Sequence, residues 1–186
     1  MVEDYLSQKN IRVHKVSKPI PAPLGPENPI VDEFGNDDPR YNFQMHAVRQ
    51  VEKHGRGILQ VATGGGKSKI AKLLIARFRR PALFITTRGI LMYQMAEHIE
   101  KGRMRSGILG DGTWQPHPRG INCGMVQTLV SRLKEPDLNE EIRGFIKAGK
   151  GLSKEDTRLL GKESFDKKLL VRDDTIKLLE TFEVVI

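Results

Sequence analysis

Cysteine is nearly absent from this 186-residue chain. Cys123 is the only one, so no disulfide can form within the chain and a reducing, cytoplasmic setting is expected. A lone thiol without a Cys-x-x-Cys partner gives no metal-site spacing, and Cys123 reads as a small apolar core residue. Aromatic residues make up only 6% of the chain, with one tryptophan, Trp114. No apolar run reaches the length of a membrane span, and no signal-peptide core stands at the start, so a membrane partner is not expected. No Ser/His/Asp nucleophile pattern is present either.

Charge is present, and it is unevenly distributed. Residues 41–132 hold 15 Lys or Arg against 4 Asp or Glu, a net +11, within a chain of net +8. The flanking segments are slightly acidic. A single nucleotide does not require that many cations, whereas a polyanion does, because each neutralised phosphate releases a counterion. A solvated basic surface that serves solubility is the competing reading. Proline is concentrated at the other end: Pro19, Pro21, Pro23, Pro26, Pro29 and Pro39 make residues 1–40 an extended arm rather than a domain.

The basic segment contains Val61-Ala62-Thr63-Gly64-Gly65-Gly66-Lys67-Ser68. The apolar run Gly57–Val61 before it reads as a short buried strand. Ile70, Leu73, Leu74 and Phe78 after it share a helix face. Strand, glycine-rich turn and helix make a phosphate-binding loop. Successive glycines let backbone N–H groups wrap an anion, and the helix N-terminus adds partial positive charge. Lys67 would reach the β- and γ-phosphates, and the Ser68 hydroxyl would ligate Mg²⁺. The strict pattern asks for glycine where Val61 stands.

Upstream, Arg40–Glu52 reads as a helix with Phe43, Ala47 and Val51 on one face. Gln44 within it carries a carboxamide that can pair with the N6/N7 edge of adenine, or be an ordinary exposed glutamine. Downstream, Pro81–Thr86 reads as a second strand running into a helix at Thr87-Arg88-Gly89. Thr hydroxyls, an arginine and helix N–H groups suit phosphate oxygens, and they also suit plain capping. Ser106–Gly112 follows a basic run and ends in a Gly-Asp-Gly turn. Residues 114–119 read as an irregular loop; Trp114 within it could stack on a base, though partial burial against the loop is the favoured reading. Gly120–Leu129 reads as a strand entering a helix that starts near Gln127 and Thr128. Residues 134–180 read as a helical insertion: one helix over Leu138–Ala148, a second opened by Ser153, and a short last one capped by Asp173 or Asp174. Thr181–Ile186 reads as a closing strand. The whole implies a parallel α/β sheet flanked by helices.

The Ala-Thr-Gly-x-Gly-Lys-Ser form resembles the first motif of superfamily 2 helicases, which also lacks the leading glycine. From Tyr41 to Thr128, and again at the last strand, the chain looks like the first RecA-like domain of that superfamily, in its DEAD/DEAH-like branch with translocases and phage recombination helicases. The resemblance implies an incomplete RecA-like ATP-binding domain over 41–186, of bacterial or phage origin, that uses ATP and Mg²⁺. Gln44 would read adenine, Thr63 to Ser68 would hold the phosphates, and Lys67 would be the catalytic cation. Thr86, Thr87, Arg88, Gln127 and Thr128 would touch a nucleic-acid backbone, DNA before RNA.

The family's next element, an Asp-Glu-x-His or Asp-Glu-x-Asp box, would begin where the chain stops. Weak ATP binding with very little hydrolysis is therefore expected of this chain alone, with the remaining half of the helicase as a partner. Two alternatives stand beside this reading. One is a non-catalytic nucleic-acid-binding module with a vestigial loop. The other is a small-molecule kinase, in which the basic segment would have no role.

Overall fold

The computed structural model describes residues 19–29, 42–102, 104–148 and 153–186. Strand β1 (Ala82–Thr86) is an interior strand of the sheet. It pairs in parallel with β4 (Ile121–Met125) on one side and with β5 (Val184–Val185) on the other. β4 pairs in parallel with β2 (Ser106–Gly110), which pairs antiparallel with β3 (Thr113–Gln115). The five-stranded order is β3-β2-β4-β1-β5. Six helices complete the described residues: α1 (Asn42–His54), α2 (Lys67–Phe78), α3 (Gly89–Lys101), α4 (Val126–Leu133), α5 (Leu138–Ala148) and α6 (Lys154–Glu180). This is the α/β class expected from the sequence, with a sheet that is mainly parallel and carries one antiparallel edge strand.

Alternation along β1 explains the layering. Ala82 and Phe84 face a cluster built with Ala71 and Ile75 of α2 and Met92, Met95 and Ile99 of α3. Leu83 and Ile85 face the opposite side, where Leu109, Leu129, Trp114 and the end of α6 meet. Successive strand side chains point to opposite faces, so one short strand serves both cores. α1 lies outside α2, joined by Met45, Val48, Leu73 and Leu74. Arg77 locks that layer: its Nε and Nη2 donate to the Glu52 carboxylate at 3.1 and 2.7 Å, and its Nη1 donates to the Gly25 carbonyl at 2.9 Å. The Glu52 hydrogen bond is the main cause that raises the Arg77 pKa. Part of the proline-rich arm therefore lies on the end of α2, with Leu24 and Gly25 N–H groups bonded to the Phe78 and Arg77 carbonyls. The rest of that arm, with Arg40 and Tyr41, lies outside the described residues.

Several expectations are corrected. Residues 57–61 form no strand; Ile58 is 98% exposed, and only Val61 packs, beside the cluster that Val184 and Ile186 also touch. A strand needs a ladder partner, and β5, the outer strand on that side, is two residues long instead of the six read for 181–186. In α1 the buried face is Gln44, Met45, Ala47 and Val48, and Phe43 is exposed.

Two further strands carry no clear signal in the sequence. The Ser106–Gly110 run has glycine at two of five positions, which hides its β character, and Thr113–Gln115 is a hairpin strand rather than loop. Asp111 (φ 54) and Gly112 (φ 75) make the turn between them, both left-handed as a tight hairpin turn requires. Finally, α6 is one helix of 27 residues, so Asp173 and Asp174 sit in its interior. Its Ser153 cap is real: the hydroxyl accepts from the Asp156 N–H at 3.0 Å. Its last turn packs Leu178 and Leu179 on the sheet, which makes it part of the core.

Candidate nucleotide and nucleic-acid site

The loop that opens α2 is shaped by its glycines. Gly64 (φ 82) and Gly66 (φ 77) are left-handed, a conformation costly for other residues. Gly66 is the N-cap of α2 and no side chain caps it, so the positive end of the helix dipole faces the loop without a built-in anion. The Gly65 N–H bonds back to the Ala62 carbonyl at 3.0 Å, closing the turn. Lys67 Nζ folds inward and donates to the Val61 and Ala62 carbonyls at 2.8 and 3.0 Å. Both are weak neutral acceptors next to a phosphate oxygen, so the ammonium has partners it would exchange for a better one. Thr63 and Ser68 are exposed on the same loop and first turn.

Gln44 is only 1% exposed. Its Nε2 donates to the Gly65 carbonyl at 3.2 Å, while Oε1 is buried with no partner. A Cβ on Gly66 would lie 2.4 Å from Gln44 Nε2, so the missing side chain is what admits the carboxamide. Gln44 thus ties α1 to the phosphate loop, and it is not the exposed helix glutamine that the sequence also allowed.

The remaining candidates gather at the carboxyl ends of β1 and β4, where Thr86 stands in register with Met125. Gln127 Nε2 donates to the Thr87 carbonyl at 3.0 Å, joining two candidates that are distant in sequence. Thr87, Arg88 and Gln127 are exposed, and Thr128 is half-buried. Thr86 is buried, and its hydroxyl accepts from the Arg88 N–H at 3.4 Å, which leaves it shaping the turn more than facing solvent. Arg88 is the N-cap of α3 and its side chain makes no capping bond. Because α2 leads into β1 through a short turn, its N-terminus and the phosphate loop stand at the same edge of the sheet, the edge where ligands of open α/β sheets bind.

One contact had no sequence signal. The Arg132 guanidinium lies over the Trp114 ring, 3.6 Å from its centroid, and Arg132 Nε donates to Thr175 Oγ1 at 3.0 Å. Three elements far apart in the chain meet there. Burial pushes the Cys123 thiol up to about 12, so it stays protonated. No metal-binding group of His, Cys, Asp or Glu exists among the described residues, and none of their helices is long and apolar enough to cross a membrane.

A family model described as type III restriction enzyme, res subunit, matches residues 38–174. The chain belongs to that family. The res-subunit family is helicase-like, of superfamily 2, with a RecA-like ATPase domain. The five-stranded, mainly parallel sheet flanked by helices is consistent with that architecture, and the chain is a helicase-like ATP-binding module of this type. The matched span takes in the phosphate loop, the Thr87–Gln127 edge and most of α6. No curated protein matches the chain.

Proposed function

We propose that the chain is the ATP-binding part of a superfamily 2 nucleic-acid helicase or translocase, whose parent reaction couples ATP hydrolysis to movement along or unwinding of DNA or RNA. Thr63 to Ser68 bind the phosphates, Lys67 leaves its two carbonyls to neutralise them, and Ser68 holds Mg²⁺. Gln44 reads adenine by turning its carboxamide outward from the Gly65 carbonyl; its unpaired buried Oε1, a cost of about 1–3 kcal/mol where it stands, favours that turn toward a donor on the base. Bound Mg²⁺ supplies charge neutralisation across the transferred phosphoryl group. These 186 residues contain no Asp-Glu-x-His or Asp-Glu-x-Asp box, so for them the proposal is nucleotide binding with little turnover.

The observation that carries this reading is the common edge. The uncapped α2 terminus and the Thr87–Gln127 contact lie at one end of one sheet, within the segment of net +11. A small-molecule kinase has no use for the second cluster or for that charge. The reading is tested by titrating the chain with single-stranded oligo(dT) at several salt concentrations. Affinity is expected to fall linearly on logarithmic axes, and Arg88→Ala to weaken binding and flatten the slope by about one phosphate contact. Absent binding, or an affinity indifferent to salt, sinks the proposal.

A further inference from the structure

Trp114 and Arg132 form a fixed pair. The indole is half-buried on the cluster of Leu83, Leu109 and Leu129, so its position is set by the core. Arg132, in the last turn of α4, is held over the ring by Thr175, which is fully buried. The Thr175 hydroxyl has one proton and donates it to the Val171 carbonyl at 2.7 Å. Its oxygen is therefore left to accept from Arg132 Nε at 3.0 Å. The guanidinium cannot swing away without leaving a buried hydroxyl half-satisfied.

Beside this pair is a cavity of about 360 Å³, lined by Gly112, Thr113, Trp114, Gln127, Thr128 and Arg132 among others. No carboxylate lines it. An aromatic ring, a planar cation, hydroxyls and a carboxamide are the groups that receive an unstacked base attached to a phosphate backbone. Two of the lining residues, Gln127 and Thr128, also belong to the strand-end cluster, and Gln127 reaches Thr87 directly.

We propose that this cavity is a base-binding subsite for single-stranded nucleic acid, in which one unstacked base lies on the Arg132 guanidinium that covers Trp114 while its backbone passes Thr128 toward Thr87 and Arg88. The proposal rests on the nucleic-acid reading above and adds a base contact to a surface otherwise made for phosphates. It predicts a preference for single strands, because a paired base cannot enter the cavity.

Trp114 is the sole tryptophan, so its emission reports on the subsite directly. The unmodified chain is titrated with oligo(dT) and with an abasic oligomer of equal length and charge. Oligo(dT) is expected to quench the emission and to bind about 5- to 150-fold more tightly than the abasic strand, the range for stacking one base. The abasic strand is expected to bind without quenching. Equal affinities, or an emission that responds alike to both strands, overturn the subsite while the nucleic-acid reading stands. If neither strand binds, both readings fall together.

Discussion

The two faces of the sheet are built on different principles. On the α2–α3 face, Ala71, Ile75, Met92, Met95 and Ile99 close over Ala82, Ile121 and Cys123 with no polar group among them. On the α4–α6 face Leu83, Leu109 and Leu129 form a smaller buried cluster, extended by Ile85, Leu178, Leu179 and Phe182, and the layer adds the polar set of Trp114, Arg132 and Thr175. Burial without direction holds the first face. Directed contacts are added to apolar packing on the second, and they cost desolvation, which lowers the Arg132 pKa against the opposing pull of Asp174. The directed face is also the one that meets the proposed strand-binding edge. A polar hub is expendable for folding when apolar packing could replace it, so its presence there fits a surface kept for a ligand.

Substitutions on each face sharpen the contrast. Met92→Ala empties a fully buried site on the apolar face and is expected to cost about 2–5 kcal/mol by denaturant unfolding. Thr175→Val keeps the shape but removes the acceptor for Arg132; about 1–3 kcal/mol is expected, with a shift of Trp114 emission as the stacked cation loosens. A Thr175→Val protein with native stability and native emission would erase the difference between the faces. Ser153→Ala, remote from both, removes the α6 cap and is expected to cost about 1 kcal/mol, which sets the scale for an ordinary polar contact.

Local pattern made the first face readable and left the second opaque. The i, i+3, i+4 spacing along α2 and the run Ala82–Thr86 are visible in sequence because each element carries its own apolar period. The glycine turn before α2 was readable for the same reason: its internal hydrogen bonds close within six positions, and only Gln44 reaches it from farther away. The strand read at 57–61 failed because pairing depends on a partner that local sequence does not describe. Gln44 was readable as a candidate but not as a buried one, since its place depends on the missing Cβ of Gly66. Trp114, Arg132 and Thr175 have no common period and meet only through the register of β2, β3 and β4. Asn122 is similar: fully buried inside β4, it holds the His117 backbone by two hydrogen bonds, of 2.8 and 3.0 Å, that nothing in its neighbours announces.

Calorimetric titration of the chain with ATP in the presence of Mg²⁺, repeated on Lys67→Ala, tests the central claim most directly. Lys67 is exposed and bonds only to carbonyls of its own loop, so its removal leaves the core intact. Measurable heat with the unmodified chain and a loss of affinity of at least about tenfold in Lys67→Ala, the loss of one charge-assisted contact, is the predicted result. Equal ATP affinity in the two proteins, or no binding by either, would contradict the assignment of this loop as a nucleotide site and leave a nucleic-acid-binding module with a vestigial loop.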